Sequence, residues 1–306
     1  MNTREWALLI FTVLGQLAVG ALLVLMVVRA YISSKAGVDE ADRMTGRPLF
    51  MIVPIMAVAL LASLLHLSNP FNIMRAVPNL GSSWLSREVV FSVVFMIMAS
   101  LFTLMQWRKL GTNGLRTAIG WLTVVIGLVQ TYAMGMVYMI RTQPAWNTLA
   151  TPITFFVTTF LLGALAAAVA LIADDTFLKK KDAKAAENQS GLLHDSLRGI
   201  MITAIILLGI EFLVLPIYMA FLATQGSAAL ESLRLMMGSF GLTLAIRLLL
   251  IFLGAGVLVT YLLRNASSGS QEKALATLAY SAFLLVLAGE VMGRFLFYAT
   301  QVRIGL

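Results

Sequence analysis

Eight apolar stretches, each long enough to cross a membrane, constrain the folds that are open to this protein. They are separated by Pro, Gly, Asn or charged residues and lie at 7–28, 50–67, 87–107, 115–140, 152–173, 198–222, 238–263 and 274–299. A helix of about 20 residues spans the hydrocarbon core, whereas membrane strands are shorter and alternate in polarity. Of the 306 residues, 60% are hydrophobic and 12% are charged. We therefore predict an all-α, polytopic membrane protein with eight transmembrane helices in one integral membrane domain, residues 1–306.

The distribution of basic residues predicts the orientation of these helices. Fourteen Lys and Arg residues lie in the connections that follow odd-numbered spans, and six lie on the opposite side. Cytoplasmic connections of membrane proteins carry an excess of Lys and Arg. We therefore expect the N- and C-termini to be extracytoplasmic.

The longest connection, residues 174–197, is rich in charge and poor in aromatic side chains. This composition is typical of solvated, mobile segments. It predicts a cytoplasmic loop, in which His194 faces solvent. The loop is expected to separate the first four spans, in 1–173, from the last four, in 198–306, and no convincing sequence repeat relates the two parts.

Several polar side chains lie inside the predicted spans, where they are costly and usually face protein or a water-filled cavity. Gln16 and Arg247 lie near mid-span. The others lie at depths that correspond to the outer half of the bilayer: His66, Glu88, Glu211, Glu290 and Arg294. This asymmetry favours one polar pocket that opens outward over a continuous proton path.

Each of these residues also has a simpler structural interpretation. Glu290 and Arg294 are four residues apart on one helix face, so they could neutralise each other. Glu211 and Arg247 are predicted to form a structural ion pair between helices, because an unpaired charge is hard to keep there. Gln16 could serve only as a hydrogen-bonding group between helices.

The stretch from residue 61 to 91 carries the most specific chemistry. His66 ends one apolar run, Arg75 lies in the connection, and Glu88 opens the next run. A histidine and a carboxylate at one membrane boundary can accept the hydroxyl protons of a redox-active lipid hydroquinone. We assign His66 and Glu88 as candidate catalytic residues, and Arg75 as a candidate to orient the ring oxygens.

The residue types limit which redox centres the protein can hold. Without cysteine it cannot ligate an iron–sulfur cluster through thiolates. Of its two histidines only His66 lies in a span, so bis-histidine haem is excluded by counting, and a His/Met pair is left open. No Gly-rich phosphate loop, zinc-ligand spacing or nucleophile triad is present, and no nucleic-acid partner is expected. Electrons taken from a quinol would therefore leave to a centre on another subunit.

Three segments resemble the membrane-anchor subunit family of dimethyl sulfoxide reductases, within the wider polysulfide-reductase-like anchors of molybdopterin oxidoreductases. They are EWALLIFTVLGQLAVG at 5–20, SLLHLSNPFNIMRAVPNLGSSWLSREVVF at 63–91 and LAGEVMGRFLFY at 287–298. The resemblance implies oxidation of menaquinol in anaerobic respiration. Electrons would pass to a ferredoxin-like four-cluster iron–sulfur subunit and then to a molybdopterin catalytic subunit, which alone turns over the terminal substrate.

The resemblance also implies which residues act and where. The family associates quinol binding with the histidine of a His-Leu motif and a glutamate at the start of the third span, which match His66 and Glu88. The family pattern often reads His-Leu-Gly-x-Pro, whereas Ser68 stands at the glycine position here, so we expect a turn that differs from the family's. The expected location is the prokaryotic cytoplasmic (inner) membrane, with partner subunits on its extracytoplasmic face. The full set of candidate quinol-binding residues is His66, Arg75, Glu88, Gln16, Glu290 and Arg294.

Other functions are left open by the sequence. In a purely structural anchor without a quinol site, His66 and Glu88 would tolerate substitution. A secondary transporter or ion channel is disfavoured, because no matched pair of broken spans is apparent and the ionisable residues do not extend through both leaflets. An anchor for polysulfide, tetrathionate or arsenate reduction would share the quinol chemistry and differ in its partner's substrate.

Overall fold

The computed structural model describes residues 3–65, 77–265 and 272–304, and these residues form helices and short connections without a strand. The helices are α1 Thr3–Ala36, α2 Val38–Gly46, α3 Ile52–Leu65, α4 Trp84–Arg108, α5 Asn113–Val137, α6 Ala150–Lys181, α7 Ala183–Thr224, α8 Ser227–Met237, α9 Gly241–Asn265 and α10 Glu272–Ala299. A 3-10 turn, Pro48–Met51, joins α2 to α3. Among the described residues, eight segments are long and apolar enough to span a membrane: α2 and α3 count together, and α8 is not among them. The predicted fold class is confirmed.

Helices α1 and α6 form the centre of the bundle. In their most apolar 18-residue windows, 72% and 78% of residues are buried, against 50% or less in the other spans. The two backbones touch at Gly20 and Gly163, because a Cβ on Gly20 would lie 1.8 Å from the backbone oxygen of Thr159. Small residues permit this close approach between membrane helices.

The remaining spans surround this centre. Helices α3 and α5 pack on α1, α4 packs on α5, and α7 and α10 pack on α6 and on α9. The beginning of α1 meets the last turns of α10, where the ring centroids of Trp6 and Phe295 are 5.9 Å apart. We call the end of the bundle that contains Trp6, Trp84, Tyr138 and Tyr298 the terminal end.

A buried ionic cluster fixes the opposite end of the bundle. The carboxylate of Asp42 in α2 lies 2.8 Å from Nη2 of Arg29 and 3.2 Å from Nη2 of Arg116, and it also contacts the Lys109 amine. These three cations come from α1, the end of α4 and the start of α5. One carboxylate therefore ties four parts of the fold together.

The predicted mobile loop at 174–197 is wrong. Helix α6 runs through its first part and α7 through the rest, with one extended residue, Asp182, between them. Alanine, lysine and leucine favour helix, and three leucines of this stretch are buried: Leu178, Leu193 and Leu197. The composition of this stretch is charged overall, so it did not indicate that these leucines would be buried.

Two further expectations about this region change with it. His194 lies on α7 and is half-buried rather than in a solvent-facing loop. The division into four and four spans is corrected to five spans before Asp182 and three after it. An ion pair of 3.0 Å between Arg47 and Asp174 ties the end of α6 to the turn that precedes α3.

Candidate functional site

The polar residues singled out within the spans lie in the half of the bundle nearest the terminal end. Gln16, Glu88, Glu211, Glu290 and Arg294 are all buried, although each belongs to an apolar span. They come from α1, α4, α7 and α10, and Arg247 of α9 joins them. Two candidates, His66 and Arg75, lie outside the described residues; His66 directly follows Leu65, the last residue of α3.

Arg294 is held by α1 and α6. Its Nη2 donates a hydrogen bond of 2.9 Å to Oε1 of Gln16, and Nε2 of Gln16 donates one of 2.9 Å to the backbone oxygen of Phe155. The guanidinium carbon lies 3.7 Å from the ring centroid of Phe155. Cation–π contacts of this kind strengthen when the charge is removed from water. Gln16 thus does more than join helices, because it positions a buried cation.

Glu88 and Arg294 share two buried tyrosines as electrostatic neighbours. The phenol oxygens of Tyr138 and Tyr298 are 2.6 Å apart. Glu88 and Arg294 are both close enough to interact electrostatically with the two phenols. The indole of Trp146 stacks on Phe297, with ring centroids 5.2 Å apart. Aromatic rings therefore enclose this side of the site and exclude water from it.

Glu211, Arg247 and Glu290 form a second polar group. Nη2 of Arg247 contacts Oε1 of Glu211 and lies 4.0 Å from Oε1 of Glu290. The hydroxyl of Thr158 donates to Oε2 of Glu290. Within the described part of the protein, three buried atoms of this group have no hydrogen-bond partner: Glu211 Oε2, Glu290 Oε1 and Arg247 Nε. One guanidinium thus lies beside two carboxyl groups, and one N–H donor and two carboxyl oxygens make no hydrogen bond to the described residues.

Glu211, Arg247 and Glu290 line an open cavity, which we call the chamber. It lies between α6, α7, α9 and α10, has a volume of about 90 Å³ and is open at its mouth. Its polar wall is formed by Glu211, Arg247, Glu290 and Arg294, and its apolar wall includes Leu215, Tyr218, Leu296 and Phe297. Small-molecule sites in proteins are typically clefts lined mostly by apolar side chains, with a few placed polar groups.

The Gly-Glu-x-x-Gly-Arg sequence of α10 builds this wall. A Cβ on Gly293 would lie 2.6 Å from Nε of Arg247, and one on Gly289 would lie 2.7 Å from Cγ1 of Ile251. The two glycines are four residues apart, so they occupy one helix face and let α9 approach. Glu290 directly follows Gly289, and Arg294 directly follows Gly293. Both present their side chains to the adjoining chamber.

Sequence reasoning missed several residues of this region. Tyr138, Tyr218 and Thr158 were not selected, because tyrosines near span ends and threonines within spans are common. Gln130 is completely buried in α5, and neither atom of its amide has a partner among the described residues. A mid-span amide was the signal that selected Gln16, and it could have selected Gln130 as well.

The sequence was compared with known families and structures. The family model described as "DMSO reductase anchor subunit (DmsC)" matches residues 1–300. Two anaerobic dimethyl sulfoxide reductase subunits of Escherichia coli (strain K12) are similar to this protein. YnfH is 29% identical and the C subunit is 27% identical, and each alignment covers 99% of this protein and 97% of the relative. The C subunit of the Haemophilus influenzae (strain ATCC 51907 / DSM 11121 / KW20 / Rd) enzyme is 27% identical over 100% of this protein and 99% of its own length.

A solved structure gives the same fold. The bd oxidase from Geobacillus thermodenitrificans superposes with a TM-score of 0.62 at 14% identity, over 97% of this protein and 85% of the matched oxidase subunit. This likeness concerns the helical membrane fold alone. The match over 300 residues decides the family, and it confirms the resemblance of the three sequence segments. The protein belongs to the DMSO reductase anchor subunit family.

Proposed function

We propose that this membrane anchor binds and oxidises menaquinol and passes the electrons to an iron–sulfur partner subunit. The molybdopterin subunit of the same complex would act on the terminal substrate in anaerobic respiration. The observation that carries the proposal is the chamber, an open cavity among membrane spans whose wall combines two carboxyl groups and two guanidinium groups. A hydroquinone ring needs an apolar enclosure with a few polar groups for its two hydroxyls, and the chamber offers both.

The reaction releases two electrons and two protons as the hydroquinone becomes a quinone. The electrons go to an iron–sulfur cluster of the partner subunit, because the anchor has no cysteine to ligate one. For the protons, we assign His66 as the first acceptor, since the ordinary pKa of an imidazole, about 6.5, suits proton exchange near neutral pH. Glu88, which interacts with the tyrosine pair and does not line the chamber, then releases protons towards the terminal end.

The chamber residues bind and orient the ring. Oε1 of Glu290 has no hydrogen-bond partner among the described residues, so it is available to accept a hydrogen bond from a ring hydroxyl. Arg294 is held in place by Gln16 and points its charge at the oxygen that becomes negative as the proton leaves. Preorganised charges of this kind stabilise a transition state because they need no reorganisation. Arg75 is proposed as a second group that orients the ring oxygens.

The position of the site suggests where the partner subunits bind. The chamber and the tyrosine pair lie towards the terminal end, which the distribution of Lys and Arg predicts to be extracytoplasmic. We place the iron–sulfur subunit against this end, on the extracytoplasmic face of the prokaryotic cytoplasmic (inner) membrane. Electrons then travel a short distance from the quinol to the first cluster.

The experiment compares two electron donors in membranes that hold the assembled complex. Menaquinol must use the anchor, whereas an artificial donor reduces the partner subunits directly. His66→Ala and Glu88→Gln should lower menaquinol-dependent turnover by about 100-fold or more, because a positioned acid–base group contributes about 10²–10⁴-fold, and should leave the artificial donor unaffected. Asp39→Asn changes an exposed carboxylate on α2, at the opposite end of the bundle, and is the matched control. Normal menaquinol turnover in both test variants would refute the assignment of His66 and Glu88.

A further inference from the structure

An apolar groove opens on the surface of the bundle between α7 and α9. Its volume is about 530 Å³, and its walls include Phe212, Leu215, Pro216, Leu248, Leu249 and Phe252. No residue that lines it is charged. Leu249 and Phe252 are 55% and 67% exposed, and both helices are candidate spans. The groove therefore faces the hydrocarbon of the bilayer.

A small void of about 10 Å³, which we call the passage, lies beside this groove. It shares Phe212 and Leu248 with the groove and shares Glu211 and Arg247 with the chamber, while Leu215 borders all three spaces. The contact between Glu211 and Arg247 thus stands where the passage meets the chamber. Groove, passage and chamber thus adjoin one another, and a movement of their shared walls would join them into a route from the lipid to the polar wall.

Helix α7 has a weak point beside this passage. Pro216 lies inside the helix and has no backbone N–H, so the carbonyl of Phe212, four residues earlier, lacks its usual helical donor. Prolines are the commonest cause of kinks in helices. Because Phe212 lines both the groove and the passage, a small change of the helix at this turn would open the route.

We propose that the groove between α7 and α9 is the lateral entrance by which a lipid hydroquinone reaches the chamber, with its ring beyond the Glu211–Arg247 contact and its isoprenoid tail in the groove. This inference rests on the proposed function and adds the route and the tail site. The occupant is a quinol rather than a phospholipid, because the route ends at buried polar atoms without partners, Glu211 Oε2 and Arg247 Nε. Ring hydroxyls would satisfy those atoms, and acyl chains would not. Glu211 and Arg247 are then positioning residues at the entrance as well as an ion pair.

A steric test uses two leucines of α9 that differ in one respect. Leu249 lines the groove, whereas Leu253, one turn further along and similarly exposed, does not. Leu249→Trp should lower kcat/KM for a long-tailed menaquinol by about tenfold, because overfilling an apolar site weakens binding by about that factor. A water-soluble, tail-less naphthoquinol and the artificial donor should be affected much less. Leu253→Trp should behave like the wild type with all three donors.

A second measurement locates the tail directly. An isoprenoid quinone with a photoreactive group in its tail is bound to the wild-type complex, irradiated, and the labelled peptides are identified by mass spectrometry. Labels on the groove residues of α7 and α9 are expected. Labels confined to other helices, together with equal kcat/KM in the two tryptophan variants, would overturn the entrance and leave the proposed function standing. A wild-type complex without any menaquinol-dependent turnover would instead refute the proposed function.

Discussion

Replacing Gly293 with alanine perturbs the chamber at a defined point. The new Cβ would lie 2.6 Å from Nε, 2.8 Å from Cζ and 2.9 Å from Nη2 of Arg247. Ordinary contacts are about 3.5 Å or longer, so the guanidinium must move by nearly an ångström from the position in which it contacts Glu211. The guanidinium is the flexible end of its side chain, so folding should be nearly unaffected. A misplacement of about 1 Å in a catalytic site can cost about 100-fold in rate, and we expect menaquinol-dependent turnover to fall by about 10- to 100-fold.

The assay again compares menaquinol with an artificial donor at equal amounts of assembled complex. Gly256→Ala is the matched control, because Gly256 lies in the neighbouring α9 and a Cβ there meets nothing within 4 Å. Alanine favours helix over glycine by about 1 kcal/mol, so both substitutions carry the same benefit. Wild-type menaquinol turnover in Gly293→Ala would refute the view that the position of Arg247 matters to the reaction.

Two further predictions concern the stability of the fold. Gly20→Ala should prevent the normal α1–α6 contact and greatly reduce the yield of folded protein, because its Cβ meets the backbone of Thr159. Gly209→Ala has open space around its Cβ and should fold normally. Thermal unfolding in detergent compares the two variants, and equal stability would contradict the packing. Asp42→Asn leaves three cations without their carboxylate, so it should lower the free energy of unfolding by about 3–5 kcal/mol, and an unchanged unfolding temperature would contradict this.

The fold class could be predicted from the sequence because each span is recognisable by its length and apolarity. Residues 174–197 show where this reasoning fails. Their net composition is that of a solvated segment, but helix formation depends on which residues share a face, and Leu193 and Leu197 lie one turn apart on the buried side of α7. A count of charges cannot register such a stripe.

The candidate site could be predicted in part, because depth follows from position along a span. The sequence placed Gln16, Glu290 and Arg294 in the membrane interior, and the structure joins Gln16 to Arg294 across 278 residues. Which side chains meet depends on how each helix is rotated and on which helices are neighbours. Packing between small residues, such as the contact at Gly20 and Gly163, decides those two quantities, and no periodicity in the sequence reports them. Tyr138 was missed for this reason.

The central claim, that this anchor holds a quinol site in its chamber, is tested most directly by titrating membranes that contain the assembled complex with a fluorescent hydroxyquinoline N-oxide quinol analogue. Stoichiometric quenching is expected in the wild type and in the Asp39→Asn control. Glu290→Gln keeps the shape of the side chain but removes the charge that borders the chamber, so it should weaken binding by about tenfold, the effect of losing one charge-assisted hydrogen bond. Equal affinity in Glu290→Gln and the wild type, or no quenching in either, would contradict the claim.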